Sequence, residues 1–224
     1  MCGRYVIFSL VPELERYFNA EPPAFDLVPN YNAAPTQKIP VIIHQDGTRQ
    51  IERRHWGLVS FWAKDTTIGS RMINARVETL AAKPAFKAAL KYRRCPIPAN
   101  GFCEWAGKDG NRQPFYFHLQ SGAPMAFAGL WEVRKPKDGE PYKSCSIITT
   151  EASDSVRDIH GRMPLILDPR AFGRWLDPEN KDPASFENLL KIEYVKDLER
   201  YPVSKLINRV ENNSAKCIER SGNG

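Results

Sequence analysis

The chain has 224 residues, of which 42% are hydrophobic and 26% charged, the balance of an ordinary globular protein rather than a disordered, collagenous or coiled-coil one. No apolar run approaches the roughly 18 residues that cross a bilayer, and the start Met1-Cys2-Gly3-Arg4 lacks the apolar stretch and cleavage site of a secretion signal. Lys and Arg total 32 against 26 for Asp and Glu, a net charge of +6, which permits an anionic polymer as partner without requiring one.

In chain order, Leu10 to Phe18 has the spacing of a short amphipathic helix, with Ser9 as N-cap and Leu10, Leu14, Tyr17 and Phe18 on one face. Pro40 to His44 predicts a strand, Asp46-Gly47 a hairpin turn and Gln50 to Trp56 the returning strand. Pro84 to Tyr92 predicts a helix that opens on proline. Short strands are expected at Cys95–Ala99, Phe102–Ala106, Pro114–Leu119, Met125–Leu130 and Ser144–Thr150, with turn chemistry at Lys108-Asp109-Gly110-Asn111 and Asp138-Gly139. The basic runs Lys91-Tyr92-Arg93-Arg94 and Arg134 to Lys137 read as solvated faces or turns. Pro169–Leu176 and Pro183–Leu190 read as helices, Tyr194–Val203 as a late strand, and the polar tail from Ser214 as a fraying end. Strands in series with few helices between them give an α+β fold, expected as a single domain over residues 1–224, not an alternating βαβ series. No GxGxxG or GxxxxGK[ST] is present, so nucleotide-binding readings gain no support.

The five cysteines, Cys2, Cys95, Cys103, Cys145 and Cys217, include no CxxC pair, and the four histidines show no HExxH pattern. The expectation is a reduced, cytosolic protein without metal or cofactor.

Four segments carry residues suited to chemistry. If Met1 is trimmed, Cys2 presents an amine and a thiol on adjacent carbons. An α-amine, with a pKa of about 7.7–8.0, is largely neutral near pH 7 and attacks aldehydes, after which the thiol can close a thiazolidine ring. The same thiol could attack an amide or ester, and Cys2 also reads simply as the second residue of a gene. In Asn74-Ala75-Arg76, strand alternation would face Asn74 and Arg76 together, one to orient an amine and the other to hold a phosphate; a structural turn network is the alternative. Glu104 lies between Cys103 and Trp105 in an apolar strand, where desolvation would raise its pKa and suit acid–base work; a carboxylate paired with a core arginine is the equal alternative. In Asp158-Ile159-His160-Gly161-Arg162, His160 is a candidate proton shuttle and Arg162 a phosphate clamp, although a single histidine is more often structural.

In combination these segments carry more weight. Met-Cys-Gly-Arg-Tyr at the start, Tyr31-Asn32-Ala33-Ala34-Pro35-Thr36, Trp56-Gly57-Leu58, Ile73-Asn74-Ala75-Arg76-Val77-Glu78-Thr79, Pro98-Ala99-Asn100-Gly101-Phe102-Cys103-Glu104-Trp105, Asp158 to Pro164 and Pro202-Val203-Ser204 follow in that order. Together they resemble the SOS-response-associated peptidase (SRAP) family of abasic-site processing proteins over nearly the whole chain. The resemblance implies a mostly antiparallel, barrel-like β core flanked by short helices. It implies that Cys2, freed of Met1, reacts with the ring-opened aldehyde of an abasic site in single-stranded DNA to give a thiazolidine crosslink. Asn74 would position the amine and sugar. Glu104 and His160 would move protons during ring opening, Schiff-base formation and reversal, and Glu104 would also serve self-removal of Met1. A Schiff base permits β-elimination, so weak lyase activity is chemically open, and ring closure would suppress it.

DNA contacts would come from Gly3, Arg4, Arg76 and Arg162 at phosphates, and from Trp62 and Pro40 stacking or wedging against neighbouring bases; Trp62 reads alternatively as a core aromatic. The expected partner is therefore single-stranded DNA with an abasic site, without membrane contact. The expected protein is a monomer in the cytoplasm, nucleoid-associated in a bacterial host. The chain departs from the family pattern at Phe61-Trp62, where two tryptophans are common, at Cys103, where a bulkier aromatic is common, and at Gly161, where aspartate is common.

Three other readings compete. N-terminal-nucleophile amidotransferases also begin Met-Cys-Gly, but Arg4 follows here and the length leaves little room for a synthase domain. A protease acting in trans could use the same Cys, Glu and His. A non-catalytic single-strand-binding module would bind DNA indifferently to Cys2.

Overall fold

Short β-rich segments punctuated by Pro and Gly pair both with their chain neighbours and with strands distant in sequence. The computed structural model describes residues 2–108, 111–182, 184–187 and 198–222 and arranges these segments in two sheets. The strands are β1 (Tyr5–Ile7), β2 (Asn30–Ala33), β3 (Lys38–Gln45), β4 (Thr48–Trp56), β5 (Asn74–Arg76), β6 (Arg94–Ala99), β7 (Gly101–Ala106), β8 (Gln113–Leu119), β9 (Met125–Arg134), β10 (Tyr142–Glu151), β11 (Arg162–Pro164) and β12 (Leu198–Pro202). The helices are α1 (Val11–Phe18), α2 (Pro84–Tyr92), α3 (Asp154–Arg157), α4 (Phe172–Leu176) and α5 (Ala184–Glu187).

One sheet has the order β12-β8-β7-β1-β2; the other runs β3-β4-β10-β9-β6, with β5 and β11 also paired to β10. Among the described strands only the β4–β10 and β5–β10 pairings are parallel, so the fold is α+β and mostly antiparallel, as expected. Among the described strands the pairing closes no full ring. The sheets join through aromatic contacts: Tyr5 of β1 meets Trp56 of β4 at 5.6 Å and Phe127 of β9 at 5.8 Å, both edge-on. Each such pair contributes about 0.5–1.5 kcal/mol beyond burial.

β10 organises the end of the molecule that matters for function. Its first half lies between β4 and β9, and its second half between β5 and β11. Thr149 is consequently opposite both Arg76 and Pro164, which brings the Asn74–Arg76 and His160–Arg162 segments to the two edges of one strand.

β1 is fixed by Asn100, at the β6–β7 turn. Its Oδ1 accepts from the backbone N–H of Phe8 (2.8 Å) and of Ser9 (2.9 Å), and its Nδ2 donates to Ser9 Oγ. Ser9 is therefore not the N-cap expected of it. α1 starts one residue later, with Leu10 at the cap position and Pro12 in the first turn, because the Ser9 hydroxyl is committed to Asn100.

Other expectations are corrected. Arg94 is not on a solvated face: it is 5% exposed, and its guanidinium donates to the carbonyls of Leu90, Lys91, Trp175, Asp177 and Asn180. The described residues after Ser214 are held in place: Cys217 is fully buried, Val203 bridges Arg220, and Tyr201 Oη donates to the Ile218 carbonyl. The expected 169–176 helix is a 3-10 turn (Pro169–Ala171) continued by α4. Parts of the expected 183–190 helix, 194–203 strand and 108–111 turn lie outside the described residues. No helix among the described residues is long and apolar enough to cross a membrane.

Candidate active site

Cys2 is the centre of the arrangement. It precedes β1, is fully buried, and its thiol donates to the Arg4 carbonyl at 3.5 Å. From β5, Asn74 Nδ2 donates to the Cys2 carbonyl at 2.9 Å. From β7, Glu104 is brought alongside because β1 and β7 pair Tyr5 with Phe102, and the Cys103 N–H donates to the Arg4 carbonyl. From the turn before β11, His160 Nδ1 lies 4.0 Å from Glu104 Oε1. The four residues expected to act together thus come from four segments and converge.

The electrostatics separate their roles. Burial pushes the Glu104 carboxyl up from 4.5 to about 7. A carboxyl held by a core guanidinium would move the other way, so the acid–base reading is the one the environment favours. Burial lowers the His160 pKa, and the backbone of Arg162 holds Nδ1 at 2.9–3.0 Å. His160 Nδ1 and Glu104 Oε1 are 4.0 Å apart, and burial drives the imidazole towards neutrality. Burial first, and the Glu104 charge second, raise the Cys2 thiol well above its ordinary value. The sulfur is thus a thiol, not a thiolate, at neutral pH, and an attack led by sulfur is disfavoured.

Around Cys2, several buried polar atoms have no hydrogen-bond partner among the described residues: Arg4 Nε, Tyr5 Oη, Asn74 Oδ1, Thr149 Oγ1 and Arg162 Nε. Native proteins leave few such atoms; others lie away from this end of the molecule, at Arg54, Arg93 and Trp175 among them. Asn74 has one amide atom committed to the Cys2 carbonyl, and the other, Oδ1, has no hydrogen-bond partner among the described residues.

The expected phosphate contacts are partly assembled. Gly3 accepts from Arg4 Nη1 at 2.8 Å, so both stay beside Cys2. Arg76 is exposed, two residues along β5 from half-buried Asn74 with buried Ala75 between, the alternation that the sequence predicted. Arg162 Nη2 donates to the Thr149 carbonyl at 2.8 Å, and the Arg162 fork also grips Glu78.

The stacking residues divide. Trp62 is 60% exposed and Phe61 57%, so Trp62 is not a core aromatic. It borders a cavity of about 600 Å³ whose walls include Leu58, Ile68, Arg71 and Met72. That wall depends on bare backbone at Gly57 (φ +140°), where a Cβ would sit 2.4 Å from the Gly69 carbonyl oxygen. Pro40 is a correction: it is buried within β3 opposite Arg53, and a buried ring offers no edge to a base. Pro35 is better placed. It follows β2, whose Ala33 pairs with Tyr5, so it sits half-buried at the sheet end occupied by Gly3 and Arg4. In the sequence it lies within Tyr31 to Thr36, one of the segments that carry the family resemblance. Thr149, Glu78 and Asn100 were also not singled out, because each matters only through partners distant in sequence.

Among the described residues no group of three or more His, Cys, Asp or Glu side chains is placed to hold a metal ion.

Comparison with known proteins adds an independent finding. The family model described as SOS response associated peptidase (SRAP) matches residues 1–210. "Abasic site processing protein YoqW" of Bacillus subtilis (strain 168) is 41% identical over 222 residues, 98% of this chain and 99% of that one. "Abasic site processing protein HMCES" of Rattus norvegicus is 31% identical over 85% of this chain and 64% of its own. A crystal structure of a protein from Bacteroides thetaiotaomicron superposes with a TM-score of 0.87 at 23% identity, covering 98% of this chain and all of that one.

Proposed function

Because the chain belongs to the SOS response associated peptidase (SRAP) family, we propose that it captures abasic sites in single-stranded DNA through Cys2. The observation that carries this reading is the convergence of Asn74, Glu104 and His160 on a buried Cys2 beside the chain start.

In the first step, water adds to the Met1–Cys2 peptide carbonyl and the bond breaks, releasing methionine and freeing the Cys2 amine, with Glu104 as proton acceptor. The amine then adds to the C1′ aldehyde of the opened deoxyribose, and the carbinolamine loses water to give an iminium. Glu104, with its pKa near 7, can give the proton that water loss needs and receive the one later released. The thiol, protonated by virtue of burial, adds to the iminium carbon as its proton passes to Glu104. One C–N bond and one C–S bond form, and one water leaves. Closing the ring removes the iminium, which suppresses β-elimination and strand cleavage. Opening the ring again would reverse the crosslink and leave weak lyase activity as a side path.

Asn74 Nδ2 fixes the Cys2 carbonyl, and Asn74 Oδ1 is left to accept from the amine. Arg4, Arg76 and Arg162 would take the phosphates flanking the lesion, and Trp62 a neighbouring base. Without a base at the lesion, such a platform has no sequence to read there.

The test is denaturing electrophoresis after incubation with single-stranded DNA carrying one abasic site. A band resistant to boiling is expected, absent with intact DNA and absent when an alkoxyamine has first consumed the aldehyde. A band of equal intensity in the alkoxyamine control would overturn the reading.

A further inference from the structure

Arg162 is already gripped. Its Nη1 donates to Glu78 Oε1 at 2.7 Å and its Nη2 to Glu78 Oε2 at 3.1 Å, the two parallel bonds of a guanidinium–carboxylate fork. The third contact, Nη2 to the Thr149 carbonyl at 2.8 Å, holds the guanidinium against β10. Glu78 comes from the opposite edge of β10: it lies two residues beyond Arg76, in the 3-10 turn Val77–Thr79 that leaves β5. A side chain from one flanking strand's exit thus reaches across the end of β10 to one on the other.

This pair is unlike the buried Arg94. Arg94 is enclosed and donates only to carbonyls. The Arg162 side chain is 19% exposed and that of Glu78 46%, so the fork opens to solvent on the carboxylate's side. The hydrogen bonds from Arg162 hold the Glu78 carboxyl below the usual carboxylate range, and it is ionised at neutral pH. A carboxylate and a phosphodiester both offer two anionic oxygens to the same donor edge.

On the basis of the abasic-site reading above, we infer that Glu78 occupies the phosphate seat of Arg162 in the DNA-free protein and is displaced by a backbone phosphodiester when single-stranded DNA binds. Glu78 is a positioning residue: it keeps the guanidinium extended along the strand end without touching the reacting atoms. It also sets a threshold for binding, since DNA must exchange an internal anion for its own. The exchange conserves charge at Arg162 but releases a carboxylate beside the DNA, so occupancy of this seat opposes affinity.

The experiment is equilibrium binding to a single-stranded oligonucleotide carrying a tetrahydrofuran residue, an abasic mimic with no aldehyde, so that capture does not distort the affinity. Wild type, Glu78→Gln, Arg162→Ala and the double variant are compared. Glu78→Gln is expected to bind about tenfold more tightly, the worth of one partly exposed ion pair plus a removed like charge. In the Arg162→Ala background the same substitution is expected to change affinity less than twofold. Weaker or unchanged binding by Glu78→Gln overturns the inference, making Glu78 a structural support. A tenfold gain that persists without Arg162 also overturns it, because the effect is then general charge repulsion. Wild type that fails to bind the oligonucleotide overturns the functional reading itself, and this inference with it.

Discussion

Asn74 donates from its side-chain amide to the backbone carbonyl of Cys2 at 2.9 Å across 72 residues of sequence. That bond anchors the Cys2 backbone at the carbonyl, one α-carbon away from the cysteine's nitrogen. It also orients the amide so that Oδ1 is the atom left without a partner among the described residues. Asn74→Ala is expected to lower the rate of covalent capture about 100-fold, the scale of a misplaced nucleophile. Its stability to urea should fall by about 1–2 kcal/mol, the cost of leaving the Cys2 carbonyl without its donor, with the fold intact. Single-turnover gel kinetics measure the first quantity and denaturation the second.

Burial of Glu104 makes stability depend on pH in a defined direction. Its pKa is about 7 in the folded protein against 4.5 ordinarily. Between those values the native state holds the proton that the unfolded chain has lost. Stability from this group is therefore complete below about pH 4.5 and is lost as pH rises through 7. The loss amounts to about 3 kcal/mol at pH 9. Glu104→Gln should be more stable than wild type at pH 9 and indistinguishable at pH 4.5, as read by urea denaturation. A constant difference across that range would contradict the assignment.

The same carboxyl should appear in the kinetics. The capture rate is expected to show a limb with an apparent pKa near 7, on top of the rise from deprotonation of an α-amine at about 7.7–8.0. In Glu104→Gln supplied with Cys2 already at its N-terminus, Met1 having been removed by an added aminopeptidase, the first limb should vanish and the second remain. The measurement is the initial rate of adduct formation from pH 5.5 to 9.

Trp62 is 60% exposed, so truncating it should leave the fold untouched. Trp62→Ala is expected to weaken binding of single-stranded DNA about tenfold, within the range for one base stacked on an aromatic ring, with an unchanged melting temperature. Pro40→Ala, a change inside β3, should leave DNA affinity unaltered. Fluorescence anisotropy reads both.

Asn100 supports the site from behind. Asn100→Ala leaves the backbone N–H groups of Phe8 and Ser9 without their acceptor. The expected loss is about 2–4 kcal/mol, one desolvation penalty for each orphaned donor, measured by urea denaturation. Capture should slow as well, since β1 carries the Cys2 end.

Much of the layout was legible in the sequence because it rests on local signals. Pro at the first turn and an apolar face gave α2 its observed limits, Pro84–Tyr92. Asp46-Gly47 gave the β3–β4 hairpin, with both residues at positive φ. The cluster of Cys2, Asn74, Glu104 and His160 was legible because their order and neighbours match a family pattern. Local signals failed where a residue's role depends on distant partners. Arg94 belongs to a basic run that looks solvated, and only the carbonyls of the α4 region make it a buried one. Pro40 and Pro35 are both prolines near a strand, and only the Tyr5–Ala33 pairing shows which one borders the site. The end after Ser214 is polar in composition, yet the Cys217 side chain fills a pocket against Val6, Cys103 and Val203. β10 could be found as a strand, but not as one flanked by four others.

The most direct test of the central claim is intact mass spectrometry of the purified protein after incubation with single-stranded DNA bearing one abasic site. The expected species has the mass of the protein without Met1, plus the oligonucleotide, minus one water. It should be absent with Cys2→Ala. A wild-type protein that lacks Met1 yet forms no adduct with confirmed aldehyde, or an adduct that persists in Cys2→Ala, would contradict capture by the N-terminal cysteine.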